Sequence, residues 1–206
     1  MSGLLLKDFY ILMKDCRWNV AMILIFAVAG AFSDNLFWLV WPVMICGLLP
    51  GTIMGLEEQS GWLAYADTMP WSRKTVVAEK YVLMLILTIG ITLLMAAVYT
   101  VTGGLAKMEL SITDMLAIAL IIGTLPSCIM LPVNFKVGSA KGRIWYLIAL
   151  GLAAGIGGGA GALLIDNGVG LPQNVGNFYW LLFALPVVAL AVSWALAVKF
   201  YEKREL

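Results

Sequence analysis

Residues 81–103 read YVLMLILTIGITLLMAAVYTVTG, an apolar run unbroken by any Asp, Glu, Lys or Arg. About 20 apolar residues suffice to cross the hydrocarbon core as a helix, so this stretch alone points to a bilayer. The composition agrees: 62% of the 206 residues are hydrophobic and 12% charged, with mean hydropathy +0.96. That leaves too little polar surface for a soluble domain of this length. Outward from this run, further apolar runs bounded by charges or turn residues fall at 18–32, 36–56, 115–133, 144–165 and 178–198. Six spans predict an all-α polytopic membrane protein, with residues 1–206 forming a single transmembrane domain and no separate soluble catalytic domain. The run at 18–32 is short for a crossing. It reads either as a span extended by Trp18 and the preceding segment or as one half of a re-entrant pair with the next run.

The basic residues set the expected orientation. Lys7, Lys14, Arg17, Arg73, Lys74, Lys80, Lys136, Lys141, Arg143, Lys199, Lys203 and Arg204 all fall on one side of a six-span chain, and only Lys107 falls on the other. The positive-inside rule then puts both termini and the second and fourth connections in the cytoplasm of a cell whose plasma membrane holds the protein. The outer connections, 33–35, 104–114 and 166–177, are too short to form a ligand-catching domain. Lys7, Asp8, Lys14 and Asp15 interrupt the N-terminal segment, which therefore does not read as a cleaved signal.

Several activities lack their chemistry here. Histidine is absent, which removes the commonest zinc ligand and general base. A net charge of +1 does not suit a nucleic-acid binder. The string Gly138-Ser139-Ala140-Lys141-Gly142-Arg143 has neither the spacing nor the Lys-Ser/Thr ending of a phosphate-binding loop. The glycines near 155–162 follow no strand and do not form a dinucleotide fingerprint. Glu57-Glu58 resembles half of an intramembrane metalloprotease site without its histidines, and reads as a helix end able to meet basic residues. Cys16, Cys46 and Cys128 show no metal or redox spacing and read as small buried hydrophobes. No ionisable residue lies near the middle of a run, so no proton relay is built in. The expectation is a non-enzyme without cofactor or metal, dependent on another chain for energy if it transports uphill.

The connection from Glu57 to Lys80 is patterned. Trp62, Tyr65, Ala66 and Met69 recur at i, i+3, i+4 and i+7, one face of a helix that Pro70 ends. Ser72 then predicts an N-cap for a second helix running through Arg73 and Lys80 into the 81–103 span. The first of these helices reads either as an interfacial helix anchored by its aromatics or as a docking helix for a cytoplasmic partner. Residues 1–17 predict an amphipathic elbow helix, with Lys7, Asp8, Lys14 and Asp15 in a polar stripe, spoiled by Ile11, and Leu5, Phe9, Leu12, Met13 and Cys16 opposite. Gly47, Gly51 and Gly55, and again Gly151, Gly155 and Gly159, repeat every four residues. Such ladders let another helix approach closely, within a subunit or across a dimer. Pro42, Pro50, Pro126, Pro132 and Pro186 mark spans that can kink.

Two stretches resemble the short permease subunits of ABC-2 type exporters. The first is Met69-Pro70-Trp71-Ser72-Arg73-Lys74-Thr75-Val76-Val77-Ala78-Glu79-Lys80-Tyr81, similar to a Leu-Pro-x-Ser-Arg, hydrophobic pair, Lys-Tyr pattern. The second is Leu131-Pro132-Val133-Asn134-Phe135-Lys136-Val137-Gly138 followed by Lys141-Gly142-Arg143. The opening Gly3-Leu4-Leu5-Leu6-Lys7-Asp8-Phe9-Tyr10 is also typical. Met69, Asn134 and Val137 depart from the usual residues without altering charge or the Pro and Gly positions. The resemblance implies a subunit that pairs with itself or a paralogue and binds a cytoplasmic ATPase, which would hold ATP and Mg. It implies a coupling helix over about Glu57 to Pro70, with Glu57, Glu58, Trp62, Leu63, Tyr65, Ala66, Met69 and Pro70 at the coupling region and charged contacts from Arg73, Lys74, Lys141 and Arg143. The implied cargo is an amphipathic peptide or hydrophobic compound. The alternatives are a six-span vitamin-binding subunit of an energy-coupling-factor importer, or a non-transporting scaffold or immunity protein.

Overall fold

The computed structural model describes residues 2–31, 37–66, 68, 71–103, 111–139, 141, 144, 148 and 179–202. Among these residues the helices are, in order, α1 (Ser2–Lys14), α2 (Arg17–Ala31), α3 (Phe37–Gln59), α4 (Trp62–Ala66), α5 (Arg73–Thr102), α6 (Ile112–Val137) and α7 (Tyr179–Glu202). Four of them, α3, α5, α6 and α7 over Ala184–Glu202, are long and apolar enough to cross a membrane. The apolar part of α2 is shorter, Arg17–Gly30. The predicted span at 144–165 lies almost wholly outside the described residues, and Gly151, Gly155 and Gly159 lie outside them too.

Local chemistry sets the helix ends. Ser72 caps α5 as its sequence position predicts: its backbone is extended and its hydroxyl accepts from the Thr75 amide at 3.3 Å. The helix therefore starts roughly two turns before the apolar run. It stops at Gly103, whose φ of 69° allows its amide to bond back to the Tyr99 carbonyl. Ser111 and Asp114 form a reciprocal capping box at the start of α6, which brings the helix start into the connection expected to run to residue 114.

Helix α6 lies at the centre, packed most extensively against α7 and α3, while α3 also packs on α2 and α5. The α3–α6 seam is close because it is lined with glycine. A Cβ on Gly47 would run into the Gly123 carbonyl, and one on Gly51 into the Met130 side chain. Ser127 donates its hydroxyl to the Gly47 carbonyl across the same seam. The Gly47, Gly51 and Gly55 ladder thus packs within the chain. A second polar tie joins three spans: Ser193 of α7 donates to the Cys128 carbonyl of α6 at 2.6 Å and lies 2.6 Å from the Tyr81 hydroxyl of α5. Ser193 has one proton, so Tyr81 is the donor in that second bond. Outward-facing positions, such as Ile86, Ile89, Leu93 and Val101 on α5 and Val187, Val188 and Val192 on α7, are apolar, as lipid contact requires. Pro42, Pro50, Pro126, Pro132 and Pro186 all lie inside the long helices.

Two expectations change in detail. Helix α3 runs through Glu57 to Gln59, so the glutamate pair stands at a helix end as expected, and Glu57 finds buried partners on neighbouring helices. The chain then reverses at Ser60-Gly61, where φ is 72° at Gly61, and α4 is described over Trp62–Ala66. Among its described residues, the predicted 57–70 helix is therefore a span end, a turn and the helix Trp62–Ala66. In α1 the polar and apolar sides are rotated from the expected arrangement. Leu4, Asp8, Leu12 and, just beyond the helix, Cys16 are buried, whereas Leu6, Phe9, Tyr10 and Met13 are exposed. The Asp8 carboxylate turns inward to a lysine, which leaves Phe9 and Met13 exposed.

Candidate functional site: the ionic end of the bundle

At the end of the bundle where α1 and α4 lie, five charged side chains from three helices converge. Lys80 of α5 places its ammonium 2.6 Å from Asp8 Oδ2 of α1 and 2.8 Å from Glu57 Oε1 of α3. Lys7 of α1 binds the same Glu57 oxygen and lies 2.9 Å from Asp8 Oδ1. Glu79 lies farther off, with Oε2 3.6 Å from the Lys80 ammonium. Asp8, Glu57, Glu79 and Lys80 are all buried, and only Lys7 is partly open, its side chain 21% exposed. Ion pairs this dry are costly to form and costlier to break, since removing one partner strands a charge away from water. The network therefore fixes one docking geometry for α1 on α3 and α5. Burial and the Lys80 charge pull the Lys7 ammonium below the ordinary lysine value, with Asp8 offsetting part of the shift. Burial alone would raise Asp8. The hydrogen bonds at its carboxylate and the charges of Lys80 and Lys7 outweigh it, and Asp8 ends below the ordinary aspartate value.

The short helix α4 is fastened to this network through one residue. The Lys7 ammonium stands 4.5 Å from the centre of the Trp62 ring, within cation–π range. The Tyr65 ring packs 5.5 Å from Trp62 while remaining 54% exposed, and Ala66 is buried. Next to the turn, Glu58 accepts from the Ser139 amide at 2.6 Å and from its hydroxyl. Glu58 thus meets Ser139 of the connection after α6, while its neighbour Glu57 meets the basic residues Lys7 and Lys80. Gly138 at this junction has φ 88°, and a Cβ there would meet Glu58 Oε1 at 2.7 Å. Arg73 donates to the Tyr201 and Glu202 carbonyls at 3.1 and 3.2 Å, capping the C-terminal end of α7. Lys74 lies 3.8 Å from Glu202.

Of the coupling residues expected from the sequence, the structure thus gathers Glu57, Glu58, Trp62, Tyr65 and Ala66 at one corner and sends Arg73 and Lys74 to the end of α7. The side chain of Leu63 and residues Met69, Pro70 and Arg143 lie outside the described set, and Lys141 is exposed. Sequence reasoning missed Asp8, Glu79 and Lys80 as buried groups. A signal was present: Asp8 shares the four-residue spacing of Leu4 and Leu12, and Lys80 that of Val76 and Met84, so each charge sits on an apolar, inward helix face.

The family described as ABC-2 family transporter protein matches residues 3–202. The chain belongs to this family. No curated protein and no solved structure matches it. As an ABC-2 family member it is an integral membrane transporter protein, and the family implies a separate ATPase where catalysis resides. In such a permease, the corner built from Lys7, Glu57 and Trp62 joins the short helix α4 to α1 and to the end of α3.

Proposed function

We propose that the chain is the permease subunit of an ABC exporter, a six-span protein of the plasma membrane with both termini cytoplasmic, working as a dimer with itself or a paralogue. A partner ATPase supplies ATP hydrolysis, and the cargo is an amphipathic peptide or a hydrophobic compound. The observation that carries this reading is the state of α4: Tyr65 is presented outward while Trp62, one turn away, is gripped by Lys7. A push on α4 from a closing ATPase passes through Lys7 to Asp8, Glu57 and Lys80, and so to α1, α3 and α5 together. Movement of those helices against the α6–α7 pair reopens the route at the subunit interface. The described spans bury only uncharged polar groups away from the ionic end, Thr88, Thr92, Thr124, Ser127 and Ser193 among them, which suits lipid-soluble cargo better than ions. Membership in the ABC-2 family weighs against the vitamin-importer and scaffold readings.

The test is to co-express the chain with its adjacent-encoded ATPase, reconstitute the complex in nanodiscs and compare ATP hydrolysis with that of a Trp62→Ala, Tyr65→Ala double variant. Co-purification that the double change weakens, with a loss of transport-linked hydrolysis, supports the reading. A chain that never binds an ATPase removes it.

A further inference from the structure

The ionic network contains three buried carboxylates, Asp8, Glu57 and Glu79, and two ammonium groups, Lys7 and Lys80. Fully ionised, it carries one negative charge too many. The deficit is localised. Both Asp8 oxygens face a lysine, Oδ1 at 2.9 Å from Lys7 and Oδ2 at 2.6 Å from Lys80. Glu57 Oε1 receives both lysines, while its Oε2 has no hydrogen-bond partner among the described residues. Glu79 has neither oxygen in a hydrogen bond with any described donor, although its side chain is only 1% exposed. Its closest cation, 3.6 Å away, is already engaged by Asp8 and Glu57. The Glu79 and Asp8 carboxyls instead face the same Lys80 ammonium, at 3.6 and 2.6 Å.

We propose that this end of the bundle is a proton-binding site, in which Asp8 and Glu79 share one proton, carried on Glu79 and donated toward Asp8. The proton neutralises the surplus charge and converts a contact between two like charges into a hydrogen bond. The two carboxyls then titrate as a unit with the ammonium groups beside them. A metal ion is the poorer occupant: two ammoniums already crowd the oxygens, and among the described residues no group of three acidic, Cys or His side chains is arranged to hold one. The inference rests on the network's own geometry and stands apart from the export reading.

Infrared spectroscopy of the full-length protein in nanodiscs tests it directly. At neutral pH the wild type is expected to show a carboxylic-acid carbonyl band that shifts when glutamate alone is labelled with carbon-13 and is lost reversibly as the pH is raised. Glu79→Gln is expected to remove the band. Asp8→Asn is expected to remove it as well, although Glu79 is still present, because the network is then balanced with Glu79 ionised. No band in the wild type, a band that survives Glu79→Gln, or one that persists in Asp8→Asn overturns the proposal. So does a band that appears only on withdrawal of sodium and potassium, since a metal cation would then fill the site. Should neither variant purify as a monodisperse species, the wild-type titration and the glutamate label decide alone.

Discussion

The Lys7 ammonium lies 4.5 Å from the centre of the Trp62 ring, so α1 holds the short helix that follows the first of the four long ones. This contact joins two segments that the sequence separates by an entire span. A cation–π pair that is partly shielded from water contributes about 0.5–2 kcal/mol. The expected result is that Trp62→Ala lowers ATP hydrolysis by the permease–ATPase complex several-fold while Trp62→Phe stays close to wild type. A double-mutant cycle of Lys7→Met and Trp62→Ala on thermal stability should show coupling, and strict additivity would remove Lys7 as the link.

The glycines of α3 should not be equivalent. Alanine at Gly47 meets the Gly123 backbone, which cannot swing away, whereas alanine at Gly51 meets the flexible end of Met130. At Gly55 the nearest atom is Ser139 Oγ at 3.6 Å, an ordinary contact. Overpacking commonly costs about 1–3 kcal/mol. Melting temperatures in detergent should therefore fall most for Gly47→Ala, less for Gly51→Ala and little for Gly55→Ala. A Gly55→Ala variant as damaged as Gly47→Ala would contradict the packing described.

The tie at Ser193 makes an ordered prediction. Ser193→Ala removes the acceptor of the Tyr81 proton and the donor to Cys128 O together, whereas Tyr81→Phe removes one bond and leaves Ser193 bonded to the Cys128 carbonyl. Hydrogen bonds between membrane helices are worth about 0.6 kcal/mol on average. Ser193→Ala should thus destabilise more than Tyr81→Phe, by roughly one such bond, as read by denaturant or thermal unfolding in micelles.

Acid should release α1. Asp8 is held below the ordinary aspartate value, so its contribution is fully present above the unfolded value, about pH 4, and is lost as pH falls through the lower folded value. Protonating Asp8 abolishes its ion pairs with Lys7 and Lys80. Breaking a buried pair costs about 3–5 kcal/mol. The wild type should lose stability steeply below about pH 4, and Asp8→Asn, already destabilised at neutral pH, should show a flatter acid limb. Equal acid slopes in the two proteins would place the sensitivity elsewhere.

The four long apolar helices were legible because hydropathy over some 20 residues integrates many weak preferences. The 81–103 run appears within α5, and Ser72 caps that helix as its position between Pro70 and Arg73 implied. Helix ends at polar residues were harder to read. Glu57 looks like the end of a span to any scale that scores residues singly, yet the structure satisfies it with Lys7 and Lys80, which lie 50 residues earlier and 23 later in the chain. The same blindness turned α1 the wrong way. An Asp on a helix is assigned to water unless a partner is known, and the partner of Asp8 is 72 residues away. The i, i+3, i+4 pattern located Trp62, Tyr65 and Ala66 on a helix but could not foresee that Gly61, with its positive φ, would detach it from Glu57 and Glu58.

The position of Lys80 also orders the making of the protein. Asp8 and Glu57 leave the ribosome well before the lysine that neutralises them. During synthesis the first three helices therefore carry carboxylates lacking their principal counter-ion, and α1 has no finished seat. Its docking waits until the start of α5 has emerged, 72 residues after Asp8, so α1 is translated well before it can take its native place.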